Sequence, residues 1–149
     1  MNKAVVLSIM LIGLNAGASD VEKTVQQKNG WATYQSEIDR KVGTVNQKCG
    51  SKIRASYDKS TYPSFDPIQD RTQAACQAAV GTLENLCVSD AGKQAVQKIK
   101  TSSCQFSTSG TGVAFKEGAL IVRIDPKNSS ITGKSPGSYS WKSALEEVL

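Results

Sequence analysis

Cys76-Gln77-Ala78-Ala79-Val80-Gly81-Thr82-Leu83-Glu84-Asn85-Leu86-Cys87 is the stretch on which the fold turns. Its apolar positions, Cys76, Ala79, Val80, Leu83, Leu86 and Cys87, recur at steps of three and four. They define one face of a helix expected from about Ile68 to Val88, with Asp70 and Arg71 at its start. The two cysteines stand three turns apart on that face, so an unbroken helix cannot join them. Each needs a partner from elsewhere. The chain has four cysteines, and the other two are Cys49 and Cys104.

Downstream, Ser89 or Asp90 can cap a third, shorter helix over Ala91 to Lys100, with Val96 and Ile99 inward. Lys98 and Lys100 suit the negative end of its dipole. The tight link near Ser89 packs helices two and three antiparallel. Cys76 lies 13 residues before Ser89 and Cys104 lies 15 after it. At 1.5 Å per helical residue both sit roughly 20 Å from the turn, so they can face each other.

Upstream, Val21 to Tyr57 reads as helix one. Trp31, Tyr34, Ile38, Val42, Val45, Cys49 and Ile53 form one apolar stripe. Gly30 is expected to interrupt the helix, and Gly43 and Gly50 to weaken it. Lys41, Lys48 and Lys52 flank the stripe, where their stems can cover the core edge. Cys49 on this stripe would meet Cys87. The expected bridges are therefore Cys76–Cys104 and Cys49–Cys87. Each closes a loop of about 30–40 residues and adds roughly 3–4 kcal/mol in the loop-entropy model. Zinc is the weaker use of these thiols, because the chain has no CxxC and no histidine.

Between helices one and two, Ser56 to Pro67 reads as a loop, with two prolines and many Ser, Thr and Asp residues. Beyond helix three the periodicity changes to strands. Residues 112–115 and 119–124 form a hairpin over Lys116-Glu117-Gly118, and Cys104 to Thr108 can add a third strand. Residues 133–137 form a loop. Ser138 or Ser140 then caps a closing helix with Trp141, Ala144, Leu145, Val148 and Leu149 inward. The fold class is α+β: a disulfide-braced core of three helices, a small antiparallel sheet and a C-terminal helix.

The first residues have the form of an export leader. Lys3 supplies a positive charge, Ala4 to Ala16 is nearly free of polar groups, and Ala16-Gly17-Ala18 fits a cleavage site. The apolar run is shorter than the roughly 20 residues that span a bilayer. Residues 1–18 are thus expected to be a signal peptide, and 19–149 one mature domain without a membrane span. An even cysteine count in an exported chain agrees with two disulfides. The full chain carries a net charge of +5. That surplus suits an acidic protein partner or an anionic envelope polymer. Export and the lack of a dense Lys/Arg run disfavour nucleic acid.

The lack of histidine removes Ser-His-Asp and Cys-His catalysis, and oxidised cysteines remove a thiol nucleophile. No nucleotide-binding fingerprint occurs, and no metal or cofactor is expected. A carboxylate hydrolase of wall or polysaccharide would have to draw on Asp58, Asp66, Asp70 and Glu84. Solvated or helix-capping carboxylates are the commoner use of such residues. The aspartates do not have the spacing of a calcium loop. The candidate partner-binding residues are Tyr57, Tyr62 and Phe65 of the 56–67 loop, with Lys52 and Arg54 nearby. Tyr offers large contact area at low entropy cost, but aromatics beside prolines also close cores.

Cys49-Gly50, Ile53, Cys76, Leu83-x-x-Leu86-Cys87, Asp90-Ala91-Gly92-Lys93-x-x-Val96 and Cys104 together resemble a pattern of small secreted bacterial proteins of unknown function. The resemblance implies the four-cysteine framework and no activity. By class alone, the chain is similar to periplasmic immunity proteins. The functional expectation is an exported periplasmic binding or inhibitor protein: an immunity protein against a toxin, or an inhibitor of a wall-degrading enzyme. The alternatives are the hydrolase, and an envelope structural protein or secreted effector.

Overall fold

Helix α1 (Ala16–Cys49) runs for 34 residues through both Gly30 and Gly43. It belongs to a computed structural model that describes residues 16–62, 72–127 and 138–149. Two internal glycines cost about 1 kcal/mol each in helix propensity. Burial of Ile38, Val42, Val45 and Cys49 along one face, each at most 5 % exposed, outweighs that cost. Gly50 is the true terminator. Its φ of +66° is the left-handed conformation that closes a helix, and a side chain there would be strained.

The helix therefore stops well before Tyr57, and this corrects the sequence expectation. Residues Arg54–Tyr57 form strand β1 instead. The chain continues through α2 (Thr72–Leu86), α3 (Asp90–Gln97), β2 (Thr101–Phe106), β3 (Gly112–Lys116), β4 (Ala119–Ile124) and α4 (Ser138–Val148). Ser89 is the cap of α3, accepting a hydrogen bond from the Gly92 amide at 3.1 Å. Because α3 ends at Gln97, Lys100 lies beyond its last turn.

The α+β order is as expected: helices, sheet, closing helix. The sheet is mixed, and this is a second correction. Its strand order is β1-β2-β4-β3. β1 pairs parallel to β2, and β2 parallel to β4; among the described strands only β3 and β4 run antiparallel. The β3–β4 hairpin turns through Glu117 (φ 52°) and Gly118 (φ 85°), a two-residue turn whose twist matches the strands.

All the described helices that pack on the sheet use one face. α2 lies over β2 and β4, α4 over β3 and α2, and α1 along β1 and α2. The strands alternate accordingly. Ala55, Tyr57, Ser102, Cys104, Leu120, Val122 and Ile124 are buried beneath the helices. Trp141 and Leu145 anchor α4 in the same core. The outer edge of β1 is closed by α1. Asn46 Nδ2 donates to the Ile53 carbonyl (3.0 Å), and Gln35 Nε2 donates to the Ala55 carbonyl (2.8 Å).

Both disulfides are those expected, Cys49–Cys87 and Cys76–Cys104, with separations of 38 and 28 residues. The first ties the end of α1 to the end of α2. The second ties α2 to β2. Cys104 reaches Cys76 from a strand, not from an extension of the third helix. No described helix is long and apolar enough to cross a membrane. Residues 1–15, most of the expected leader, lie outside the described residues. Ala16-Gly17-Ala18 begins α1.

Candidate functional site

The parallel pairing of β1 with β2 brings distant residues side by side. The Arg54 amide donates to the Lys100 carbonyl at 3.1 Å. Just before β1, Asn46 holds the chain reversal: its Oδ1 accepts from the Ile53 amide and from Ser51 Oγ, both at 2.8 Å. Gln97, in the last turn of α3, donates Nε2 to the Cys49 carbonyl at 2.8 Å. That bond satisfies an end carbonyl of α1 and fixes α3 against it.

These constraints frame a cleft of about 720 Å³, walled by Gly50, Ser51, Lys52, Arg54, Gln97 and Lys100. Three of its walls are cationic, and none is acidic. The only ion pairs among the described residues are Lys48–Glu84 and Lys142–Glu146, so Lys52, Arg54 and Lys100 have no carboxylate partner there. Two helices, α1 and α3, end at this cleft. Each terminus contributes about half a negative charge, together roughly one. Three cations therefore leave a surplus of about two positive charges, more than capping the helices requires.

The candidate binding residues divide into two groups. Lys52 and Arg54 meet at the cleft. Tyr57 lies at the far end of β1, roughly 10 Å along the strand from Arg54. It is buried at 6 % exposure. Its ring packs on Trp31 (5.7 Å) and Tyr34 (6.2 Å). Tyr62 is half-buried against Trp31 at 5.0 Å and Phe106 at 5.9 Å. Lys59 sits 5.6 Å over the Trp31 ring. The aromatic group thus closes one end of the core between α1 and β1. Phe65 lies outside the described residues. Lys100 escaped the sequence reading, because only strand pairing places it beside Arg54.

Burial pushes the Tyr57 phenol well above the ordinary tyrosine range; the hydrogen bond donated by Gln77 opposes this in part. The folded state therefore holds Tyr57 protonated after the unfolded chain has begun to ionise. Its contribution is full below pH of about 10 and is lost as pH rises above that value. Unfolding midpoints in urea should fall as pH rises above about 10, and Tyr57→Phe should flatten that fall. Equal slopes for the two proteins would exclude Tyr57 as the cause.

The candidate hydrolase carboxylates are engaged where they are described. Asp58 accepts from Ser60 Oγ (2.6 Å) and from Gln105 Nε2 (3.3 Å), and Glu84 pairs with Lys48 Nζ at 3.1 Å. They belong to different elements, the end of β1 and α2. Asp66 and Asp70 lie outside the described residues. Among the described residues no group of three or more His, Cys, Asp or Glu side chains is placed to hold a metal ion.

No family model, curated protein or solved structure matches the chain.

Proposed function

We propose that this chain is an exported binding protein of the periplasm or cell exterior, of the inhibitor or immunity kind. It engages an acidic protein partner through the basic cleft. The observation that carries this reading is the surplus of cations at the cleft: Lys52, Arg54 and Lys100 around about 720 Å³, without a carboxylate partner among the described residues. Two buried disulfides support it, since they hold α1, α2 and β2 in place and present the cleft walls pre-organised. The expected leader and the overall charge of +5 point the same way.

The double reversal K52E/K100E tests the proposal. Both side chains are exposed, so circular dichroism and the thermal midpoint should stay close to those of the parent. Immobilised parent protein should retain an acidic partner from an envelope extract of the source organism. The variant should retain at least tenfold less, a change of about 1.4 kcal/mol. Equal retention by both proteins would contradict the assignment of the cleft.

A further inference from the structure

The described helices cover only one face of the sheet. On the other face the register sets three rows of side chains. Arg54, Thr101, Ala119 and Lys116 form the first, and Ser56, Ser103, Ile121 and Ala114 the second. Gln105, Arg123 and Gly112 form the third. No described strand position on this face carries a carboxylate; Asp58, just past β1, places one beside Gln105, whose Nε2 donates to it at 3.3 Å. Arg54, Lys116 and Arg123 are exposed at its corners. Its centre is made of small, half-buried side chains around Ile121. The result is a flat surface with a nearly neutral middle and a rim that carries three cations against the one carboxylate of Asp58, the anatomy of a protein–protein contact.

The geometry points to this open sheet face as a second part of the partner surface, lying under an acidic, flat region of a folded protein. The inference rests on the reading of the chain as a binding protein, and extends it beyond the cleft. Strand spacing of about 4.8 Å and a rise of about 3.3 Å per residue put the three cations roughly 14–16 Å apart. That exceeds the Debye length of about 8 Å at physiological salt, so each meets its own acidic group. Side chains stand roughly perpendicular to a sheet, which keeps the three heads separate and disfavours one small anion as the ligand.

Area decides how the face is used. Four strands by about five residues give roughly 300 Å². A stable protein contact needs about 800 Å² from each side. The face alone is insufficient, so a partner must also reach the adjoining cleft, with which it shares Arg54. A membrane surface fits less well. The large exposed hydrophobics among the described residues are Val25 and Val88, which lie on α1 and on the α2–α3 link. Neither is on this face, which has no such side chain to insert.

The test uses three charge reversals in the full chain: K116E/R123E on the face, K52E/K100E in the cleft, and K28E/R40E on α1 as a charge-matched control. Each is immobilised and exposed to envelope extract, and separately mixed with phosphatidylglycerol vesicles. An acidic protein retained by the parent and by the control, and reduced at least fivefold by the face variant, is the expected result. Retention by the face variant equal to the parent overturns this inference. If the cleft variant loses the partner in that case, the proposed function stands without the face. Vesicle binding that depends on Lys116 and Arg123 would overturn it in favour of lipid. No retained protein on any bait would contradict both readings.

Discussion

Replacing Cys76 and Cys104 together by alanine is expected to lower the unfolding free energy by about 3.5 kcal/mol, measured by urea denaturation. The bridge closes a 28-residue separation, and the chain-entropy model assigns a loop of that size this magnitude. Both cysteines are fully buried, so the lost sulfur atoms also leave unfilled space between α2 and β2. A domain of this size holds about 5–15 kcal/mol in total, so the loss is a large part of it. The bridge from Cys49 to Cys87, over 38 residues, carries a similar expectation. The two loops share residues 76–87, so removing both should cost less than the sum. A loss below about 1 kcal/mol for Cys76 and Cys104 would show that packing alone holds α2 on the sheet.

Leu83→Ala should be comparably severe, at about 3–4 kcal/mol. Leu83 is fully buried on α2, at the level where its own carbonyl lies 3.4 Å from Cys87 Sγ. Helix α2 packs on α1, α4 and the sheet, so the neighbours on every side are pinned and collapse into the space only in part. Val88→Ala, five residues on, is the control. Val88 is 78 % exposed, and its truncation should change stability by no more than about 0.5 kcal/mol. Similar losses at both positions would mean that the core is misplaced.

The contrast between these two residues bears on what the sequence alone could reveal. The period of Cys76, Val80, Leu83 and Cys87 was enough to find the central helix and its buried face. From that face the two disulfide pairs followed, because helix rise is a fixed ruler. Trp141 and Leu145 were likewise legible as the inner face of the closing helix. Strand β1 was not. Ile53 and Tyr57 are four apart, a step that fits a helical face and also an alternating strand through Ala55. Only the left-handed turn at Gly50 separates the two, and a glycine can be tolerated within a helix, as Gly30 and Gly43 are.

The sheet topology was hidden for a related reason. The parallel pairing of β1 with β2 is set by the crossover through α2 and α3, and that of β2 with β4 by β3 passing to the outer edge between them, not by any local pattern in Thr101-Ser102-Ser103. Those small polar residues read poorly as a strand, yet Ser102 is buried at 1 % and faces the helices. Since the strand was misplaced, so was the site. The sequence shows Lys52 and Arg54 close together, but its helical pattern places Lys100 at the C-terminal end of α3. The open face was invisible as well, because Arg54, Lys116 and Arg123 come from three different strands.

The central claim is that a basic surface on a disulfide-braced scaffold binds an acidic partner. Its most direct measurement is the affinity of the parent protein for its captured partner as salt rises from about 0.05 to 0.5 M, a range over which the Debye length shrinks from about 14 to 4 Å. The expected result is a steep loss of affinity for the parent and a markedly shallower one for K52E/K100E. Affinity that is independent of salt, or equally steep in both proteins, would contradict the claim.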